Sequence, residues 1–290
     1  MIRVIGDNVV AFDCEWIPDA QSARLMFPEV GATATDEQAL QALWAANGAT
    51  DDNPRPFVRL MQSRVVSIAM VVREFYAHLP DEEQVKLKLA WLPVNPDDPA
   101  SRDERKIVKS FLASVGKKHP QLIGFNSRNS DLRILAQRAL TLGIQAPAFL
   151  HRPTKPWEGI DYFNNNGDGS IDLMELITGA YGRNAACNLH EACTLCGIPG
   201  KFGTHGDEVF EMWQQGRYRE IAEYNCYDAI STYLLWLRLA WVSGQFTDNE
   251  YVHEQELLRD LLMDLADKPE TAFIEAYINE WDRLLDIKGE

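Results

Sequence analysis

The sequence predicts an α/β protein in which helices flank a mixed β-sheet and a helical extension follows at the C-terminal end. Three observations lead to this fold class: short apolar runs of strand length, longer segments with helical spacing of apolar residues, and the order of the two. That order is three strands, a helix, a strand, a helix, and then a short strand followed by helices. Because a regular βαβ repeat would alternate strictly, the order favours a mixed sheet.

Four segments define most of the predicted sheet. Residues 9–16 and 64–73 are nearly continuous apolar runs, which is typical of strands buried on both faces. Residues 86–92 alternate between apolar and polar side chains, as expected of an edge strand, and residues 122–126 form a further compact strand. We therefore expect these segments to pair within one sheet.

The remaining elements are predicted from helical spacing of apolar residues. Helices are expected at about 36–46, 103–118, from Asp131 onward, 188–196, 207–215 and 217–241. Residues 145–170 lack periodicity, and residues 171–177 begin as a strand that runs into a helix. Residues 247–287 carry the pattern of two acidic amphipathic helices. This predicts a main domain of residues 1–243 and an extension of residues 244–290 packed on it.

Composition and cysteine content limit the class of protein. The 290 residues are 46% hydrophobic and 24% charged, an ordinary globular composition. No apolar run reaches membrane-spanning length, since Arg238 interrupts the best candidate, and we expect no membrane association. The five cysteines are few and odd in number, which argues against a disulfide framework and favours a reducing, cytoplasmic location.

The net charge of −15 is unfavourable for binding nucleic acid, but its distribution weakens that objection. Residues 241–290 hold 4 Lys/Arg against 13 Asp/Glu, so residues 1–240 hold 24 against 30. Several of the acids in the main domain are also candidate metal ligands. Nucleic acid therefore stays among the possible partners.

Two acids interrupt the first predicted strand. Asp13 and Glu15 lie two residues apart, so their side chains share one face of the strand. Their mutual repulsion is tolerable there only with compensating positive charge, and a divalent metal ion supplies it. The alternative is that the strand ends earlier and both acids lie in a solvated turn.

Two further acids occupy suitable positions in later elements. Asp131 follows the strand of residues 122–126 at the start of a helix, where an ordinary helix cap is the alternative interpretation. Tyr224 and Asp228 lie four residues apart on one face of a late helix. A buried Tyr–Asp hydrogen bond would explain that pair structurally, whereas a phenol beside a metal-bound carboxylate would orient an attacking water.

These motifs resemble the three exonuclease motifs of the DEDD superfamily in its tyrosine subclass (DEDDy). The resembling residues are Asp13 and Glu15, then Asp131 after a strand that ends in Asn126, then Tyr224 and Asp228; residues 171–174, 195–203 and 206–209 extend the resemblance. The chain is most similar to stand-alone bacterial 3′→5′ exonucleases related to the proofreading domain of family-B DNA polymerases. The histidine subclass would need a histidine where Glu223 stands. Ser130 departs from the usual pattern, in which a bulky residue precedes the second-motif aspartate.

The resemblance implies a ribonuclease H-like fold and a two-metal phosphodiester hydrolysis with Mg²⁺ or Mn²⁺. Asp13, Glu15 and Asp228 would be the main metal ligands, and Asp131 would bind the second ion directly or through water. Tyr224 would orient the nucleophilic water, because an unperturbed phenol is protonated at neutral pH.

The expected partner is a nucleic acid with a free 3′ end, with single-stranded DNA favoured over RNA. Asn126, Arg128 and Lys201 lie inside the resembling motifs and are candidates for substrate contact. Bases have four candidate stacking partners: Phe125, Trp157, Phe163 and Phe202. The sequence identifies no protein partner.

Two alternatives remain open. Residues 164–175 place Asn, Asn, Asp, Gly and Glu close to the spacing of an EF-hand calcium loop, although Asn replaces the expected first Asp and no convincing helix precedes it. The second is a non-catalytic nucleic-acid-binding or scaffold protein on the same fold, or an exoribonuclease, since fold alone does not establish activity.

Overall fold

A computed structural model of the chain describes residues 2–80, 83–179, 185–200 and 208–289. Its sheet contains five strands in the order β3-β2-β1-β4-β5. The strands are β1 (Asn8–Pro18), β2 (Ser63–Phe75), β3 (Val85–Leu92), β4 (Gln121–Gly124) and β5 (Ser170–Asp172). β1 pairs antiparallel with β2 and parallel with β4, so the predicted mixed sheet is confirmed, with β3 at one edge.

Eleven α-helices surround the sheet in the described part of the chain. They are α1 (Ala20–Met26), α2 (Asp36–Ala46), α3 (Glu104–Lys118), α4 (Asp131–Thr141), α5 (Pro147–Leu150), α6 (Leu173–Thr178), α7 (Leu189–Leu195), α8 (Val209–Gln214), α9 (Tyr218–Val242), α10 (Asp248–Ala266) and α11 (Ile274–Lys288). The long helices agree with the predicted ones. No helix in the described ranges is both long and apolar enough to cross a membrane.

The structure differs from the sequence-based expectations at short elements. α1 lies in a segment without helical periodicity and begins where the Asp19 carboxylate accepts the backbone N–H of Gln21. The predicted strand of residues 122–126 ends at Gly124, because Asn126 adopts a left-handed backbone conformation with φ +59°. Such elements depend on one cap or one turn residue, which periodicity does not detect.

The strand alternation of β1 divides the core into two layers. Val9 and Ala11 face α9, whereas Val10, Phe12 and Cys14 pack against α3 and α4. Residues with an odd number in this part of β1 therefore share the α9 face, and Asp13 and Glu15 continue that row.

The two C-terminal helices pack on the sheet and α9. Side chains of α10 and α11 belong to the same apolar cluster as α9 and β1, among them Leu258, Leu262, Tyr277 and Trp281. Arg73 of β2 forms a buried ion pair with Glu254 of α10, and Tyr233 of α9 donates a hydrogen bond to the same carboxylate. The acidic helices are thus attached through both apolar and charged contacts.

Candidate active site

An open cleft of about 880 Å³ lies at the carboxyl ends of β1 and β4. All four acids singled out in the sequence line it, together with Tyr224 of α9. One wall comes from α2 and the segment before β2, and the opposite wall comes from the turn between β4 and α4. The cleft therefore collects residues from separate parts of the chain.

Three carboxylates converge at the base of the cleft. Asp13, Glu15 and Asp228 each offer one oxygen, and these oxygens lie within 4.8 Å of one another. Glu15 and Asp228 are buried, with less than a tenth of their surface exposed. The alternative of a solvated turn for Asp13 and Glu15 is wrong, because β1 continues to Pro18.

Asp13 is held in place by a hydrogen-bonded pair that sequence reasoning missed. The amide of Asn225 donates to Asp13 Oδ2 at 2.7 Å, and Ser67 Oγ donates to Asn225 Oδ1 at 2.9 Å. Both partners are buried. Asn225 follows Tyr224 directly in the sequence. The one sequence feature that could have identified it is that a polar residue occupies a helix position expected to be buried. This pair fixes the orientation of the Asp13 carboxylate against β2 and α9.

Tyr224 lies beside the carboxylates as the helical spacing predicted. Its hydroxyl is hydrogen-bonded to Asp228, and only 4% of the side chain is exposed. Burial raises the pKa of Tyr224 far above its ordinary value, and the charges of Asp228, Glu15 and Asp13 raise it further. The phenol therefore stays protonated and acts as a hydrogen-bonding group at neutral pH.

Asp131 is the first residue of α4 rather than its cap. Its Oδ1 accepts the backbone N–H of Cys14 at 2.9 Å, and its Oδ2 accepts the hydroxyl of Ser130 at 2.7 Å. Ser130, the departure from the motif, thus holds the acid that follows it. Burial raises the pKa of Asp131 to about 6, although the two hydrogen bonds act in the opposite direction and lower it. Asp131 lines the cleft but lies outside the three-carboxylate cluster.

The three predicted substrate contacts occupy different positions. Asn126 lines the cleft, and its left-handed turn is fixed by Asp172, which accepts its backbone N–H. Arg128 does not line the cleft; its guanidinium binds Glu175 and the carbonyls of Asn165 and Ser170. Lys201 lies outside the described residues.

The contacts of Arg128 also bear on the calcium alternative for residues 164–175. Glu175, the expected twelfth-position ligand, pairs with Arg128 at 2.6 Å. Asp172 accepts the backbone N–H groups of Asn126 and Arg128. This segment therefore braces β5 against the turn between β4 and α4, and its acids do not converge as an EF-hand requires.

The aromatic and cationic walls of the cleft differ from the expected set. Of the stacking candidates, Phe125 lines the cleft, Trp157 and Phe163 lie elsewhere, and Phe202 is outside the described residues. The structure adds Phe57, which is 74% exposed, and Arg55, whose guanidinium lies 5.5 Å from the ring of Trp44. Both belong to an irregular segment in which no sequence pattern marks side chains that face the cleft.

The donor set fits divalent metal ions. Three carboxylates with oxygens inside 4.8 Å repel one another when ionised, and burial of two of them strengthens that repulsion. Carboxylate oxygens are the hard ligands that Mg²⁺ and Mn²⁺ prefer. The cluster is thus chemically suited to a cation.

Comparison with known proteins supports a nuclease. Residues 55–281 match the family described as predicted 3′-5′ exonucleases related to the exonuclease domain of PolB. The match contains Asp131, Tyr224 and Asp228, whereas Asp13 and Glu15 precede it. No curated protein matches the chain.

Among solved structures, the chain is similar to the family B DNA polymerase of the hyperthermophilic archaeon Pyrobaculum calidifontis. Identity is 16% and the TM-score is 0.47, over 81% of this chain and 25% of the polymerase chain. The chain thus spans about a quarter of the length of that polymerase. The family match covers well over half of the present chain, including four of the five strands of its mixed sheet. The chain therefore belongs to the family of predicted 3′-5′ exonucleases related to the exonuclease domain of PolB.

Proposed function

We propose that the protein is a metal-dependent exonuclease that removes nucleotides from the 3′ end of single-stranded DNA. The observation that carries this proposal is the convergence of Asp13, Glu15 and Asp228 at the base of an open cleft, beside Tyr224. Family membership supports the reaction class. The cysteines, all free in the structure, agree with action in the reducing cytoplasm.

Asp13, Glu15 and Asp228 would hold the metal ions, Mg²⁺ or Mn²⁺, and Asp131 would contribute to the second ion directly or through water. When bound, a pair of such ions stabilises the charge on the entering and leaving oxygens of an in-line phosphoryl displacement. The protein's contribution is to bring the carboxylates together and to orient them.

The surrounding residues have separate tasks in this proposal. Asn225 fixes Asp13 through its 2.7 Å hydrogen bond, and the N–H of Cys14 fixes Asp131 from the strand side. The Tyr224 hydroxyl orients the attacking water as a neutral hydrogen-bonding group, because its raised pKa excludes a phenolate at neutral pH.

A single strand suits the walls of the cleft. Phe57 and Phe125 offer ring faces for bases, and base–aromatic stacking is tolerant of sequence. Asn126 at the cleft and Lys201 near the end of the resembling segment stay candidates for substrate contact. Arg128 is a weaker candidate because it lies outside the cleft and pairs with Glu175 at 2.6 Å. Arg55 lines the described cleft, where it forms a longer ion pair of 3.4 Å with Glu211.

Hydrolysis of labelled oligonucleotides tests the proposal. Single-stranded DNA, duplex DNA and RNA carrying a 5′ label are incubated with Mg²⁺, with Mn²⁺ or with EDTA, and the products are resolved by length. We expect a ladder shortened from the 3′ end with either metal, fastest for single-stranded DNA, and none with EDTA.

Variants connect that activity with the cluster. Asp13→Asn and Asp228→Asn should abolish hydrolysis while the far-ultraviolet circular dichroism stays unchanged. Asp264→Asn, an exposed acid on α10, is the matched control and should retain full activity. Undiminished hydrolysis in either cluster variant would refute the site. Binding without hydrolysis would favour the scaffold alternative, and faster hydrolysis of RNA would favour the exoribonuclease.

A further inference from the structure

Beside the cleft, two arginines flank a pair of aromatic rings in a partly exposed row. The guanidinium carbon of Arg64 lies 5.4 Å from the centre of the Trp213 ring, and the rings of Trp213 and Tyr218 are 4.7 Å apart. The guanidinium carbon of Arg102 lies 3.7 Å from the Tyr218 ring. We call these four residues the cation–aromatic ladder. All four side chains are partly exposed.

Neither guanidinium group of the ladder forms a direct ion pair in the described part of the chain, although the Asp98 carboxylate interacts electrostatically with Arg102. Neither Arg64 nor Arg102 has a carboxylate oxygen within 4.0 Å there, and Arg102 donates instead to the carbonyl of Pro96 at 2.7 Å. The neighbouring Arg217 and Arg219 differ, since each pairs with an acid. In a chain of net charge −15, two such guanidinium groups together mark a local attraction for anions.

The ladder continues the surface of the cleft. α8 carries Phe210, which lines the cleft, and Trp213, which belongs to the ladder, three residues apart on one face of the helix. In the sheet, Arg64 pairs with Ile17, two residues beyond Glu15, and Ser63 next to it also lines the cleft. Two residues of a β-strand span about 7 Å. A single-stranded DNA whose 3′ end lies at the carboxylates would therefore reach the ladder within a short distance.

We propose that the cation–aromatic ladder is a second binding surface for the substrate, which holds single-stranded DNA upstream of the nucleotide being removed. The inference rests on the proposed function in one respect, that the 3′ end occupies the cleft. Guanidinium groups bind phosphate oxygens in bidentate fashion, and the exposed parts of the two rings offer stacking contacts to bases. The surface thus offers a single strand both positive charge for its phosphates and aromatic groups for its bases.

A purely structural role is the competing explanation, because the contact of Arg64 with Trp213 attaches α8 to β2, and that of Arg102 with Tyr218 attaches the start of α9 to the segment before α3. The two roles differ in how they depend on oligonucleotide length. A structural defect weakens binding of every oligonucleotide, whereas loss of an upstream contact affects only those long enough to reach it.

The test is equilibrium binding in EDTA, so that no hydrolysis is needed. Fluorescence anisotropy is measured with thymidine oligonucleotides of four and of twelve nucleotides, for the native protein, Arg64→Gln and Arg102→Gln. Arg259→Gln is the matched control, since Arg259 also lies over a ring, that of Trp281, but on the C-terminal helices. Each ladder variant should weaken binding of the longer oligonucleotide about fivefold at about 0.1 M salt and lower the salt slope by about 0.7.

Binding of the four-nucleotide oligomer should stay within twofold of native in all variants. The Arg102→Lys variant keeps a charge for phosphate and should recover part of the lost affinity. Equal weakening of both oligonucleotides, or ladder variants that match Arg259→Gln, would overturn the inference. If the native protein binds with this length dependence yet hydrolyses nothing with Mg²⁺ or Mn²⁺, the ladder stands and the proposed exonuclease function fails.

Discussion

At the scale of single residues, Tyr224 combines a buried ring with a hydroxyl that reaches a candidate metal ligand. Its pKa is raised far above the ordinary value by burial, so pH changes in the working range leave it neutral. The ring fills space between α9 and β2, and its hydroxyl alone carries the proposed chemistry. A substitution that removes only the hydroxyl therefore separates the contribution of the ring to packing from the contribution of the hydroxyl to the reaction.

We predict that Tyr224→Phe lowers kcat by about 10²-fold, the lower range for loss of a group that assists proton transfer or water orientation. KM should change less than threefold, and the shape of the pH–rate profile should be native, because no phenolate is lost. Steady-state hydrolysis of a labelled single strand measures both. A variant as inactive as Asp228→Asn would contradict a merely orienting role.

Asp131 is a second residue whose environment has a measurable consequence. Its pKa is raised from the usual 3.8 to about 6, chiefly because burial penalises the charged form. Between about pH 4 and pH 6, the Asp131 carboxyl is more protonated in the folded protein than in the unfolded chain. The stability that depends on its protonated form is therefore present below about pH 4 and is lost as the pH rises through about 6. In the metal-free protein Asp131 is therefore a source of instability at neutral pH.

We expect Asp131→Asn to unfold at higher urea concentration than the native protein at about pH 8, with a gain of about 3 kcal/mol at most for a shift of about two pKa units. The gain should shrink toward about pH 5, and both proteins are measured in EDTA. A difference that is independent of pH would show that the Asp131 carboxylate is not responsible.

At the scale of elements, α10 is attached to the sheet by a buried ion pair. Arg73 donates to Glu254 through Nε at 2.9 Å and Nη2 at 2.5 Å, and Tyr233 donates to the same carboxylate at 2.8 Å. Removal of one partner from a buried pair leaves a charge without compensation, which costs more than the pair itself contributes.

We predict that Arg73→Met lowers the free energy of unfolding by about 3–5 kcal/mol. The double variant Arg73→Met/Glu254→Leu should recover part of that loss, since no buried charge then remains. Arg283→Met on α11 is the control, because its exposed pair with Glu280 is worth about 1 kcal/mol or less. Urea unfolding of the four proteins measures these differences, and equal effects of Arg73→Met and Arg283→Met would contradict the prediction.

At the scale of the whole molecule, the predicted boundary at residue 243 divides the chain by net charge, but the apolar core continues across it. Most of the net negative charge resides on the C-terminal helices, yet their inner faces complete the apolar cluster around Tyr233 and Trp236 of α9. Most acidic side chains of these helices are exposed to solvent.

We expect a chain truncated after residue 243 to lose cooperative unfolding and to bind a hydrophobic dye, because the α9 surface covered by α10 and α11 becomes exposed. Urea unfolding and dye fluorescence, each compared with the full chain, measure this. Cooperative unfolding of the truncated chain with an unchanged midpoint would contradict it and would make residues 1–243 an independent domain.

The sequence by itself determined the features that depend on local periodicity. Alternation along residues 9–16 placed Asp13 and Glu15 on one face of a strand, and the four-residue spacing of Tyr224 and Asp228 placed them on one face of a helix. The mixed sheet and the long helices followed from the same periods, because backbone geometry fixes where each successive side chain points. Short elements such as α1 were not predicted, because their position depends on a single capping residue and not on periodicity.

Only the tertiary structure decided which distant side chains meet. Asn225 and Ser67 lie more than 150 residues apart, and nothing local shows that they hold Asp13. The sequence made Arg128 a candidate for phosphate contact, but in the folded protein Arg128 pairs with Glu175. Arg55 and the cation–aromatic ladder were identified only from the structure, in which α8 lies beside β2. Side-chain partners depend on packing between elements, and the local periods that determined the strands and helices carry no information about that packing.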